Sequence, residues 1–444
     1  MLMSRYLFYM FLVILQVLRL PLSFLVIVLK NFIPKLKERL DFERRNLIED
    51  ECLSFRSSRE RADYCFEVSS EGELEQVLPL IEHYLVENKK IELIFASASV
   101  EKKCIQLAHN FKQQIRILRL PIASFFPINT LYFQSIWQWV SAETIFLCRY
   151  DFYPELMLFG FKKNLILLSA ASKNMGWFKS MAYRCFRYIV AANSAEFDFF
   201  KKNYPHINSD SFDFRIPQIY KRISLKNEKL NKISTLLPYL KYLENYPSKS
   251  KLILGSAWVS DLVIFEDSSE WKKKIQDENF HLLIVPHSLS DSNINKMKEK
   301  LDNIFGDKNV AIFSEATLGK NQEIEHIVPP VVILNWRGIL CELYTYFDFS
   351  YVGGGLERSI HSVLEPFLAG SKVIVTGEVS RSAEFDFLKT CATHEICLLK
   401  NGQSFYNLFN DFLVPPPDKD VRVQINIEAS QKMEKVLSEI SNVK

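Results

Sequence analysis

The 444 residues hold no Cys-x-x-Cys pair, no Gly-x-Gly-x-x-Gly fingerprint, no internal repeat and no large excess of one charge. Each absence removes a class of protein. The eight cysteines (Cys52, Cys65, Cys104, Cys148, Cys185, Cys341, Cys391, Cys397) are scattered and have no metal-like pairing with histidines, so reduced thiols in a cytosolic compartment are the simplest reading. With 55 Lys and Arg against 52 Asp and Glu, a formal net charge of +3, the chain predicts no nucleic-acid partner. Asp418-Lys419-Asp420 has the spacing of a metal-binding DxD, but it follows a run of prolines (PPPDKD) with no strand end before it, so no metal site and no cofactor are expected. What is present is 48% hydrophobic content over a length that fits two domains at roughly 150 residues or more each.

One stretch departs from a soluble pattern. From Tyr6 to Phe32 the text YLFYMFLVILQVLRLPLSFLVIVLKNF is almost wholly apolar, interrupted mainly by Gln16 and Arg19, with Pro21 inviting a break. A spanning helix needs about 20 apolar residues, so the run is long enough to span or to lie in the interface. No small-residue cleavage site follows, which argues against a signal peptide. Lys30, Lys35, Lys37, Arg39, Arg44 and Arg45 form a basic collar beside it that suits an anionic cytoplasmic leaflet. The segment stands outside the regular text that follows, and both sheets are expected to fold without it.

Beyond residue 60, strand-length apolar runs alternate with helix-periodic stretches. YCFEVSS, IELIFAS, IRILRLPI, TIFLCRY, NLILLSA and YIVAAN form one set; KLILGSA, HLLIVPH, VAIFSEA, VVILNW, FSYVGGG, KVIVTG and ICLLK form a second. Between them, about 205–250, the pattern lapses into polar Lys/Asn/Ser-rich text. Alternation of this kind requires parallel sheets with crossover helices, and hence an α/β chain with two Rossmann-like domains.

The second set contains the most suggestive turn, YVGGGLERSIHSVLEP at 351–366. Gly353, Gly354 and Gly355 end a strand at a carboxyl edge, where open α/β sheets bind ligands, and bare backbone followed by a helix start suits a phosphate. Arg358 adds a cation, and Glu365 can accept the hydroxyls of a ribose. In the first set Glu73 falls in the first turn of GELEQVLPLI, at the carboxyl edge of its sheet. Glu75, two residues on and about 200° around the helix, is expected to point away.

These elements resemble the 3-deoxy-D-manno-octulosonic acid (Kdo) transferases of lipopolysaccharide synthesis, glycosyltransferases of the GT-B fold. The match rests on Gly353, Gly354, Gly355, Ile360, His361, Leu364, Glu365 and Pro366, on SSEGELEQVLPLI at 69–81, on RYDFYPEL at 149–156, on GSAW at 255–258 and on VPH at 285–287. Four positions depart from the family pattern: Arg149, Ala171, Asn335 and Ser362. The resemblance implies two Rossmann-like domains facing a central cleft, with residues 1–46 as membrane anchor and collar. Residues 47–215 would be the acceptor domain and 216–444 the donor domain, the last helix being free to cross back. It further implies metal-independent transfer of Kdo from a CMP-Kdo donor to a lipid A precursor at the cytoplasmic face of the inner membrane, among its lipids. Glu73 would be general base, with Asp151 as second catalytic candidate across the cleft. Ser256, His287, Gly353–Gly355, Arg358, Ile360, His361, Ser362 and Glu365 would hold the donor, with His287 helping Arg358 to balance the phosphate. The alternatives are a GT-B transferase using a UDP-sugar and another lipid acceptor, or an inactive membrane-bound module of the same fold.

Overall fold

A strand-length apolar run followed by a helix long enough to carry the chain back across a sheet makes parallel pairing the accessible solution. The computed structural model describes residues 2–443 except 48–60, 123–135, 150, 173–174, 248–249, 267–268, 278–279, 319–327, 358, 381 and 414–415. The chain forms two compact units, Met1–Gln218 with Ala429–Lys444, and Ile219–Glu428.

The first unit holds a seven-stranded parallel sheet of β1 (Tyr64–Val68), β2 (Ile91–Phe95), β3 (Ile115–Arg119), β4 (Thr144–Cys148), β5 (Asn164–Ala170), β6 (Tyr188–Ala191) and β7 (Asn208–Ser211), in the order β3-β2-β1-β4-β5-β6-β7. β1 is flanked by β2 and β4, so the crossovers turn in opposite directions on its two sides. That reversal opens a crevice at the strands' carboxyl ends. β7 has the sequence Asn-Ser-Asp-Ser and, among the described residues, pairs only with β6. As a polar edge strand it shows no apolar alternation, and pattern reading misses it.

The second unit repeats the design with β8 (Lys251–Ala257), β9 (His281–Pro286), β10 (Val310–Ser314), β11 (Val331–Asn335), β12 (Phe349–Val352), β13 (Lys372–Thr376) and β14 (Ile396–Leu399), ordered β10-β11-β9-β8-β12-β13-β14. Its reversal lies at β8, between β9 and β12. The polar 205–250 region is not a lapse in structure. It forms helices Arg215–Ser224, Lys226–Asn231 and Leu237–Asn245, and Leu236, Tyr239, Leu240 and Leu243 join the second unit's core. Sparse apolar residues at helical spacing suffice there because only one face is buried.

The amino-terminal segment also differs from expectation. Leu2–Leu29 is one helix that runs unbroken through Pro21. Phe8, Tyr9 and Leu12 are buried in the first unit's core. Arg5 Nη2 donates to Gly160 O at 3.0 Å. The opposite face is bare: Tyr6, Leu7, Met10, Val13, Ile14, Val17 and Leu18 are exposed. At about 100° per residue the exposed positions sweep one side of the helix and the buried three the other. Among the described residues no helix is long and apolar enough to cross a membrane. The collar is partly absorbed as well, on helix Pro34–Arg44 and the turn after it. Arg39 Nη2 donates to Leu120 O at 2.6 Å and Arg45 pairs with Glu101 at 2.8 Å. Phe8, Tyr9, Leu12, Arg39 and Arg45 therefore take part in the first unit's packing, and removing residues 1–46 is expected to cost it stability. Phe8→Ala should destabilise the first unit by about 3–5 kcal/mol, whereas Met10→Gln on the bare face should change stability by less than about 0.5 kcal/mol; thermal unfolding of both variants checks this.

Candidate functional site

In the first unit the crevice at β1 is lined by carboxylates. Ser70 ends the strand connection in an extended conformation and its hydroxyl accepts from Glu73 N, which starts helix Glu71–Val86. This cap places Glu73 at the carboxyl edge, buried, with Ser69 N donating to its Oε2 at 2.6 Å. Burial pushes the Glu73 carboxyl above its usual range. The Ser69 N–H opposes the shift, Asp151 adds to it, and Arg149 opposes it again. Asp151 follows β4, on the other side of the reversal, so the two predicted catalytic residues are brought to one crevice. Arg149 sits at φ +63° with Nε 3.2 Å from Gln76 Oε1.

Beneath them lies a residue that sequence reading passed over. Glu67 in β1 is fully buried; its Oε1 accepts from Ser69 Oγ at 2.9 Å, while Oε2 has no hydrogen-bond partner among the described residues. Burial raises its carboxyl well above the ordinary range; the Ser69 hydroxyl opposes the shift, and Glu73 and Asp151 add to it. The signal was a lone acid in an apolar strand. Glu75 points outward and pairs with Lys103 at 2.7 Å.

In the second unit the reversal at β8 brings together Ser256 near the end of β8, Trp258 after it, His287 after β9, and the glycine turn and His361 after β12. Ser256 adopts φ +51° where the β8–β9 register shifts, a strained bulge at the strand end. Trp258, His287 and His361 form a stack, with centroids 4.6 Å apart for the first pair and 4.2 Å for the second, and Trp258 Nε1 donates to His361 Nε2 at 3.2 Å. Burial and then His287 lower His361 to about 4, and burial lowers His287 also. Arg358 lies outside the described residues.

The glycines serve close approach. A Cβ on Gly353 would meet the Asp261 carboxylate, and one on Gly355 would meet Thr376 O; Gly354 has φ +99°. The N–H groups of Gly353 and Gly354 are already engaged, however. Gly353 N donates to Gly255 O at 3.0 Å and Gly354 N to Asp261 Oδ2 at 3.1 Å. The turn therefore shapes the site rather than offering these donors to a phosphate. The following helix, Leu364–Leu368, is short, and Glu384 Oε2 accepts from Ser362 Oγ, Val363 N and Leu364 N at 2.9–3.1 Å. Ile360 is buried against the turn. Glu365 takes Arg222 Nη1 at 3.2 Å, and the same guanidinium holds the buried Glu342. Asp261, Glu384 and Arg222 were not legible in advance, because each acts from an element distant in sequence.

No protein-family model and no curated protein matches the chain. Solved structures do. A glycosyltransferase from Rickettsia africae aligns over 87% of this chain and 100% of its own, at 13% identity and a TM-score of 0.50. A UDP-GlcNAc 2-epimerase from Neisseria meningitidis, bound to UDP-GlcNAc, aligns over 86% of this chain and 94% of its own, at 13% identity and 0.50. The carboxyl-terminal CMP-Kdo binding domain of WaaA from Acinetobacter baumannii covers 45% of this chain and 95% of its own, with 14% identity and a TM-score of 0.30, a likeness too weak to bear on the donor. The class is thereby defined at the level of fold: an α/β chain with two parallel seven-stranded sheets, as in GT-B proteins.

Proposed function

We propose that this chain is a glycosyltransferase that moves Kdo from CMP-Kdo to a lipid A precursor at the cytoplasmic face of the inner membrane, without a metal ion or cofactor. The observation that carries the reading is Glu73, a buried carboxylate with a raised pKa, fixed by the Ser69 N–H at the crevice where a sheet of this kind receives its ligand. A raised pKa improves a carboxylate as general base for an acceptor hydroxyl. The quoted motifs supply the choice of sugar, and the bare apolar face of helix Leu2–Leu29 supports work beside a bilayer.

In this reading the nucleotide lies at the second unit's reversal. Glu365 faces the ribose, the Trp258–His287–His361 stack offers a flat apolar wall, and Arg358 meets the phosphate. A phosphate that used the Val363 and Leu364 N–H groups would take the place of the Glu384 carboxylate. Glu365→Gln should weaken CMP binding about tenfold while leaving the fold intact, since a neutral amide keeps the shape but loses the charged acceptor. Calorimetry with CMP decides this; unchanged affinity would leave Glu365 as a partner of Arg222 only. The function itself is tested by product mass after incubation with a lipid A precursor and either CMP-Kdo or UDP-sugars. A Kdo-sized mass gain with CMP-Kdo is expected, and a gain only with a UDP-sugar would reassign the donor.

A further inference from the structure

At the amino edge of the first sheet, opposite the edge that carries Glu73, lies a cavity of about 390 Å³. It is built where the entry to β6, the start of β7, the end of the last helix and the start of the apolar helix meet. Arg5, Arg184, Arg187 and His206 line it, with Asn208 and one acid, Glu439. The Arg5 guanidinium is held in place by Gly160 O at 3.0 Å and Cys185 O at 3.5 Å and lies over the Tyr9 ring. Three guanidiniums against one carboxylate leave an excess of positive charge. The excess is felt locally, because burial and then Arg184 and Arg5 hold the His206 imidazole below its usual pKa. Directly beyond Arg5 the helix turns its bare face outward at Tyr6 and Leu7, then Met10, Val13, Ile14 and Val17. A cationic cavity with an apolar stripe that begins at the next residue of the same helix is complementary to a molecule with a phosphate at one end and hydrocarbon at the other.

We propose that this cavity is a binding site for the phosphate of an anionic glycerophospholipid, whose acyl chains lie along the exposed face of helix Leu2–Leu29. The inference rests on the membrane reading above but concerns a different edge of the sheet from the transfer chemistry. It gives the chain a preference for anionic lipid that the apolar face alone does not supply.

Flotation of the full chain with vesicles of phosphatidylcholine, alone or mixed with phosphatidylglycerol, tests it. The unmodified chain should bind both and prefer the mixed vesicles. Arg184→Gln with Arg187→Gln should lower affinity for mixed vesicles by about tenfold or more and leave binding to phosphatidylcholine in place. Should Arg184 be needed for folding, Arg187→Gln with His206→Gln changes two exposed residues and should act in the same direction. Lys201→Gln with Lys202→Gln removes two exposed lysines from helix Ser194–Asn203 and controls for diffuse surface attraction; it should cost only a few-fold. Equal losses in the control and the cavity variants would overturn the proposal, as would an unmodified chain that binds both vesicles equally, the membrane reading then still standing. Binding to neither vesicle would remove both. If glycerol phosphate raises the melting temperature of the unmodified chain but not of the cavity variants, while the lipid preference is the same in all, the site takes a soluble phosphate ester and the lipid assignment falls.

Discussion

Replacing Glu73 by Gln should lower turnover by about 10²- to 10⁴-fold while leaving CMP affinity and thermal stability nearly unchanged, because a positioned base acts on the transition state and not on the bound donor. The amide keeps the shape and can still sit beside the Ser69 N–H, but it cannot take a proton. The pH dependence of the unmodified enzyme follows with a definite sign. Burial raises the folded pKa of Glu73 above its ordinary value, so the competent, ionised fraction grows as pH rises through that raised pKa. The rate should therefore climb with pH in a window displaced upward from that of a solvated carboxylate, and this limb should vanish in Glu73→Gln. Glu75→Gln is the internal control: its partner is an exposed lysine, and rates within about two-fold of the parent are expected. Near-parental turnover in Glu73→Gln would move the base to Asp151.

The second large effect belongs to the glycine turn. A methyl group at Gly355 would stand on Thr376 O, a backbone atom of β13 that cannot swing aside. Gly377 in turn, at φ +75°, packs its bare Cα against Gly355 O. Glu378 N closes the contact by donating to Gly355 O at 2.8 Å. Gly355→Ala must therefore prise apart the ends of two adjacent strands, at a cost of about 3 kcal/mol or more. For a unit of this size that corresponds to a fall of about 6–12 °C in its melting temperature, with nucleotide binding lost alongside. An unshifted transition would mean that the strand ends yield easily and that the turn's conformation is not fixed by packing.

Much of this was legible because parallel strands buried on both faces are written as short aliphatic runs, and thirteen of the fourteen strands have such text. β7 did not, since an edge strand exposed to water has no need of it. The local motifs placed Glu73, Asp151, Ser256 and the glycines at carboxyl edges because strand, turn and helix start are consecutive in sequence. What escaped was the set of residues that complete the site from afar. Glu384 reaches the start of helix Leu364–Leu368 from twenty residues downstream in sequence, and Arg222 meets Glu342 and Glu365 across more than a hundred. No periodicity encodes such pairings. The two-sidedness of the apolar amino-terminal run escaped for a related reason: its composition is uniform, and only packing distinguishes Phe8, Tyr9 and Leu12 on one side from Met10, Val13 and Val17 on the other.

That division of one helix has a consequence for handling the protein in a test tube. With lipid absent, the bare side of the helix from Tyr6 to Leu18 is a hydrocarbon strip in contact with water, able to act as an adhesive between molecules. Two copies can shield their strips by laying them against each other, and further copies can join at the ends. In aqueous buffer the scattering mass of the purified chain should grow with concentration and with warming, since hydrocarbon association strengthens as the temperature rises from the cold, and a mild detergent should return it to a single size.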